Sequence, residues 1–125
     1  MTLTLSHGGD TIFTSTVPST EVLVGTKDGV VRIKKDQQDG NWHIADQRLT
    51  DKHIHAVIIE PVSGTIFAGA TEDSLYASED NGHTWELRDK GLTHHDIYSL
   101  ASAQVDGGTR IFLGTQPAHL YYSDD

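Results

Sequence analysis

The chain has no cysteine among its 125 residues, which excludes disulfides, thiolate metal sites and a cysteine nucleophile. The absence is compatible with a reducing compartment. Bases are also scarce: 9 Lys and Arg stand against 18 Asp and Glu, for a net charge of −9. That balance argues against nucleic acid, whose binding rests on cations neutralising phosphates. It argues equally against an anionic membrane surface. No apolar run approaches the roughly 18 residues of a membrane-crossing helix. The start, Met1-Thr2-Leu3-Thr4-Leu5-Ser6, has neither the basic stretch nor the apolar stretch of a secretory signal, so a cytoplasmic location is expected. Sustained helical periodicity, linkers and low-complexity segments are missing too. Gly107-Gly108 follows an acid and leads into a strand rather than a helix, so it is not a phosphate-binding loop. No cofactor is expected.

What is present is one phrase written almost three times. Leu23-Val24-Gly25-Thr26, Phe67-Ala68-Gly69-Ala70 and Leu113-Gly114-Thr115 place their glycines 44 and 45 residues apart. Trp42 and Trp85 follow the first two copies and lie 43 apart. Twelve glycines fall between short apolar runs, the pattern of many strands and tight turns. A period of this length with short β-rich units points to the blades of a β-propeller.

The strands can be read unit by unit. Thr11–Thr14, Glu21–Gly25, Val30–Ile33 and Trp42–Ala45 form the first blade, within about residues 10–50. His55–Ile59, Thr65–Ala68, Leu75–Ser78 and Thr84–Arg88 form the second, within about 51–93. Ile97–Ala101, Arg110–Leu113 and His119–Tyr122 form an incomplete third, about 94–125. The second strands are apolar almost throughout, as for strands covered on both faces. The fold class expected is therefore all-β: a propeller of four-stranded antiparallel blades, with about two and three-quarter blades in residues 1–125. Since propellers close rings of about four to eight blades, this is expected to be a fragment of a longer propeller. The partners expected for its open edge are further blades of the full-length chain, or another copy through self-association.

Ser78-Glu79-Asp80-Asn81-Gly82-His83-Thr84-Trp85 fits the pattern S-x-D-x-G-x-T-W at all five fixed positions. Ser123-Asp124-Asp125 begins another copy, and Lys35–Trp42 is a degenerate one that keeps an acid, a glycine and the tryptophan. The physical role is a lock on the hairpin between third and fourth strands. Asp80 accepts hydrogen bonds within the turn, Gly82 supplies a backbone conformation closed to other residues, and Trp85 packs between sheets. The motif resembles the Asp-box, or BNR repeat, of the sialidase-like superfamily. The segment from Gly114 to Asp125, G-T-Q-P-A-H-L-Y-Y-S-D-D, is similar to one in bacterial WD40/YVTN/BNR-like repeat proteins. The resemblance spans about Glu21 to the end. It implies a propeller in which Ser78, Asp80, Gly82, Thr84, Trp85, Ser123 and Asp125 are structural and lie on the face away from the binding site.

On the other face, a propeller gathers the loops that follow second and fourth strands. Here those loops are Lys27-Asp28-Gly29, Thr71–Ser74, Gln116–Ala118, Thr50–His53 and Thr93–Asp96. The candidate ligand-binding residues are Lys27, Asp28, His53, Glu72, Asp73, His94, Asp96, Gln116 and His119. His53 and His55 alternate and so share a strand face, and with His94, His95 and Asp96 they invite a zinc reading. Alignment on the tryptophans pairs His53 with Asp96 and His55 with Tyr98, so no ligand set repeats and no metal is assigned. Pro117 stiffens the turn that aims His119. Asp28, Glu72 and Asp73 invite a glycosidase reading, which needs two carboxylates at a defined separation. A sialidase also needs an arginine triad and a tyrosine with a glutamate partner. Its R-I-P phrase is absent here, since Arg32-Ile33 runs into Lys34 and Arg110-Ile111 into Phe112. No catalytic residue is assigned.

The reading is a non-catalytic propeller module that recognises a protein or carbohydrate ligand or serves as a scaffold. A sialidase-like glycosyl hydrolase, with its catalytic set partly outside this segment, is the first alternative. An assembly factor resembling the photosystem group is the second.

Overall fold

The computed structural model describes residues 17–124. Ten strands follow in chain order: β1 (Glu21–Thr26), β2 (Gly29–Lys35), β3 (Trp42–Arg48), β4 (Ile54–Ile59), β5 (Ile66–Ala70), β6 (Ser74–Ser78), β7 (Glu86–Leu87), β8 (Ile97–Val105), β9 (Gly108–Thr115) and β10 (Leu120–Ser123). No helix occurs among the described residues, so none there is long and apolar enough to cross a membrane. The expected strand Thr11–Thr14 and the motif residue Asp125 lie outside the described residues.

Every strand pairs antiparallel with its chain neighbour, in three separate sheets: β1-β2-β3, β4-β5-β6-β7 and β8-β9-β10. None of the sheets closes on itself. The second has four strands; the first and third have three among the described residues. Turn chemistry sets the hairpins. Thr26 Oγ1 accepts from Asp28 N at 3.1 Å and donates to Gly29 O at 2.9 Å, closing the β1–β2 turn. Gly29 has φ +96°, and a Cβ there would lie 2.0 Å from Arg48 O, so no other residue fits. Thr115 Oγ1 donates to Pro117 O in the β9–β10 turn, at 2.8 Å.

The three phrase glycines share a register. Gly25 pairs with Val30, Gly69 with Leu75 and Gly114 with Leu120. Val30, Leu75 and Leu120 are thus equivalent positions, as are Arg32, Ala77 and Tyr122. At the first two glycines the next sheet comes close. A Cβ on Gly25 would lie 2.9 Å from Ile54 O, and one on Gly69 would lie 2.4 Å from Ile97 Cγ2. Ile54 and Ile97 open β4 and β8 and are fully buried. Each glycine therefore makes room for the isoleucine that starts the following sheet.

Two apolar cores sit at the two junctions. Val30, Ile54, Ala68 and Ala70 form one, with Leu23, Tyr76 and Trp85 packed against it. Ala56, Ile58, Leu75, Ile97, Leu100, Ile111 and Leu113 form the other. Glu60 stitches the second junction at the far end. Its carboxylate accepts from Val62 N (2.8 Å) and Ser63 N (2.5 Å) in its own turn, and from Thr109 Oγ1 of β9 (2.7 Å). Ser63, Thr109 and these N–H groups pull its pKa down to about 2.

The eight-residue motif forms a sealed turn. Asp80 accepts from Ser78 Oγ (2.8 Å), Thr84 N (2.8 Å) and Thr84 Oγ1 (2.6 Å), while Ser78 Oγ accepts from Gly82 N (2.8 Å). Thr84 in particular holds the Asp80 carboxyl well below the usual carboxylate range. Asn81 and Gly82 are left-handed, at φ 60° and 85°. Trp85 Nε1 donates to Gly82 O at 3.0 Å, and its ring turns to the first junction. Arg32 of β2 donates to Asn81 O and pairs with Glu21, so this turn grips the preceding sheet.

Three details depart from expectation. β7 is two residues rather than the five of Thr84–Arg88, because Asp80 captures Thr84 and Trp85 turns inward; Arg88 N still donates to Leu75 O. β1 is not covered throughout, since Val22 is 45% exposed. Trp42 is 47% exposed on the edge strand β3, so the degenerate motif copy closes a turn without burying its indole.

Two outcomes are expected. Gly69→Val should destabilise the fold by about 1–3 kcal/mol through overpacking against Ile97, whereas Gly108→Ala, with open space around it, should stay within about 0.5 kcal/mol; urea unfolding measures both. Because folding lowers the Glu60 pKa, its stabilisation is present above the ordinary glutamate pKa of 4.5 and is lost as pH falls towards about 2. The thermal midpoint of Glu60→Gln should lie below wild type at pH 7, with the gap closing between pH 4.5 and 2.

Candidate functional site

The loops that precede β4 and β8 and the turns that follow β5 and β9 are knitted into one polar seam. Thr71 N donates to His53 O at 2.9 Å, Ser74 N to His95 O at 2.8 Å and Gln116 N to Asp96 O at 3.0 Å. His95 Nδ1 lies 3.1 Å from Ser74 Oγ. The seam is at the Ser74 end of β6, and the sealed Asp80 turn is at the Ser78 end.

Both inner strands are irregular at the seam. The β4–β5 register shifts between Ile54 and Ala56, and the β8–β9 register between Ile97 and Ser99. His55 and Tyr98 are the extra residues at these two bulges. A bulge re-aims a side chain that regular pairing would turn elsewhere. Here the His55 and Tyr98 rings meet with centroids 4.6 Å apart, and the His53 ring lies 4.6 Å from His55. Three rings from two sheets thus form a ladder.

Around the ladder, three buried polar atoms have no hydrogen-bond partner among the described residues: His53 Nε2, Thr71 Oγ1 and Asp96 Oδ1. Leaving such an atom unpaired costs about 1–3 kcal/mol. The β5–β6 turn also carries backbone strain, with Glu72 at φ 57° and Ser74 at φ 75°, neither of them glycine.

Beside the seam, the rings of His94 and His119 stack at 3.7 Å and 19°. Tyr121 OH lies 2.6 Å from His94 Nδ1 and 2.8 Å from Thr93 Oγ1. His119 Nδ1 is 3.2 Å from Pro117 O, so Pro117 positions this ring through its carbonyl. Asp73 is paired with Lys52 (3.3 Å), which also holds Asp51 (3.1 Å). The two carboxylates raise the Lys52 pKa and keep it charged.

The structure therefore unites most of the residues expected from sequence. His53, Asp96 and Gln116 lie on the seam, Asp73 is anchored at its border, and His94 stacks on His119. Glu72 is exposed at the turn apex. Lys27 and Asp28 are exposed in the β1–β2 turn, where Asp28 O accepts from Gln47 Nε2 (2.7 Å), away from the ladder. Thr71 and Tyr98 are the residues that sequence reasoning did not single out. Thr71 lay in a loop already picked out, and its place directly after a phrase alanine was the available signal.

Chemically, the seam holds an imidazole nitrogen, a hydroxyl and a carboxylate oxygen, all three enclosed by protein and without a partner among the described residues. No group of three or more His, Cys, Asp or Glu among the described residues is placed to hold a metal ion. The carboxylates with displaced pKa values, such as Asp51, Glu60 and Asp80, are all lowered, by hydrogen bonds from their neighbours. None of these is poised to donate a proton.

No protein-family model, curated protein or solved structure matches this chain.

Replacing Thr71 by valine removes an unpartnered hydroxyl at constant shape. It should stabilise the fold by about 1 kcal/mol, read as a higher urea midpoint with an unchanged slope. A loss of stability would mean that the hydroxyl is already satisfied.

Proposed function

We propose that this chain is a non-catalytic recognition module of the Asp-box β-propeller type that binds a carbohydrate on the seam. The propeller reading is supported by three sheets in chain order, a shared glycine register, and first strands that pack sheet against sheet. The sealed turn of Ser78–Trp85 adds to it. The function rests on one observation: His53 Nε2, Thr71 Oγ1 and Asp96 Oδ1 are buried and unpaired on adjoining loops. Sugar hydroxyls both donate and accept, and so complement a ring nitrogen, a hydroxyl and a carboxylate at once. The apolar faces of sugar rings suit the edge of a His–Tyr ladder.

A glycan array followed by titration calorimetry tests this reading. Wild type should bind a defined glycan, and Thr71→Val and His53→Ala should each weaken it at least about tenfold, a loss of roughly 1.4 kcal/mol, with circular dichroism unchanged. No glycan binding by a folded chain would overturn the ligand class. Release of free sugar would overturn the non-catalytic assignment.

A further inference from the structure

Four places in the chain set an acid or its amide directly before a glycine: Asp28-Gly29, Asp39-Gly40, Asn81-Gly82 and Asp106-Gly107. Such pairs carry a latent reaction. The glycine nitrogen attacks the side-chain carbonyl carbon of the residue before it and closes a five-membered succinimide. Glycine allows the approach because no Cβ stands in the way. Asparagine loses ammonia in this step, and aspartic acid loses water. Water then opens the ring at either carbonyl, leaving aspartate or isoaspartate. An ionised carboxylate is a poorer electrophile than an amide, so in a free peptide Asn81-Gly82 is the most reactive of the four.

The fold holds the reacting groups at three of these places. Gly82 N donates to Ser78 Oγ at 2.8 Å inside the sealed turn. Arg32 Nη2 donates to Asn81 O and lies 3.5 Å from Asn81 Oδ1, so turning the carboxamide onto Gly82 N breaks contacts with the first sheet. Gly40 N donates to Asp36 O (3.1 Å), and Asp39 Oδ1 accepts from Asn41 N (2.8 Å). Asn41 thereby holds the Asp39 carboxyl below its ordinary range, in the unreactive ionised form. Gly29 is buried as the first residue of β2 and is paired with Thr26.

Asp106-Gly107 differs on every count. The pair is the two-residue turn between β8 and β9, closed by Val105 and Gly108. Asp106, Gly107 and Gly108 are all exposed. A Cβ on Gly107 or Gly108 would meet nothing within 4 Å. Neither the Asp106 carboxylate nor Gly107 N–H has a hydrogen-bond partner among the described residues. This openness belongs to the turn and not to the place of the third sheet. The matching turn of the second sheet, Pro61-Val62-Ser63-Gly64, has a packed sheet on either side. It still leaves Val62 73% exposed and Gly64 in open space.

We infer that Asp106 is the site of spontaneous aspartyl isomerisation in this protein, and that the sealed turn of Ser78–Trp85 keeps the intrinsically faster Asn81 unreactive. Isomerisation reroutes the backbone through the Asp106 side chain. It adds one methylene to a turn whose length sets the β8–β9 register. Thr109, two residues after Gly107, donates to Glu60 at 2.7 Å, so the change reaches the stitch between the second and third sheets.

The test ages the full 125-residue chain beside free peptides copying residues 77–86 and 102–110. Peptide mapping separates aspartyl from isoaspartyl forms and reads deamidation of Asn81 as a gain in mass. Isoaspartate should accumulate at Asp106 at a rate close to that of its free peptide. Asn81 should react at least about tenfold more slowly than in its peptide, because the reaction waits on local opening of the turn. Asp106→Asn sets the same amide chemistry in both turns of one folded chain, and Asn-Gly suits a two-residue hairpin. In that variant position 106 should deamidate at least about tenfold faster than Asn81. Ser78→Ala should return Asn81 towards its peptide rate. Reaction of Asn81 in the folded chain as fast as in its peptide would overturn the inference. So would an Asp106 that stays unmodified while its peptide converts.

Discussion

Two glycine–isoleucine contacts set how close the three sheets approach one another. Gly25 receives Ile54 and Gly69 receives Ile97, at separations that a single methyl group would abolish. Everything else follows from that approach. Val30, Leu75 and Leu113 reach across the junctions only because the inner strands touch. The strand starts at Ile54 and Ile97 are pinned with their backbones, so the residues immediately before them, His53 and Asp96, are held in place as well. The polar seam is thus a by-product of apolar packing one residue away.

The bulges belong to the same constraint. Were β4 and β8 regular to their first residues, His55 and Tyr98 would be ordinary members of a pleat. In each strand the isoleucine enters the glycine slot and the residue after it is left out of the pairing. Those two leftover residues meet across the junction and build the ring ladder.

Much of the architecture was legible in the sequence, and the reasons are local. Gly-Thr and Gly-Ala phrases mark second strands because each ends a short, almost continuous apolar run. The Ser78–Trp85 turn could be read bond by bond, since each donor and acceptor lies within eight residues. The loops of the seam were also foreseeable as polar joins between strands. What could not be read depends on several sheets together. The bulge at His55 adjoins the contact of Ile54 with Gly25, a residue thirty positions earlier than His55. Whether an indole is buried depends on a preceding sheet: among the described residues Trp85 has one to pack on, whereas Trp42 lies at an edge. The unpaired state of Thr71 Oγ1 depends on residues of neighbouring loops, which no spacing encodes.

Strand pairing in strict chain order has a further consequence, for the way the molecule assembles. Each hairpin closes a short loop, so little chain entropy is lost before pairing begins to repay it. Among the described residues the sheet-to-sheet contacts are the longest-range commitments, and each joins a unit to the one synthesised just before it. Topology of this kind keeps contact order low for an all-β chain. It also makes assembly vectorial: a finished sheet becomes the template on which the next isoleucine docks, in the order in which the residues leave the ribosome.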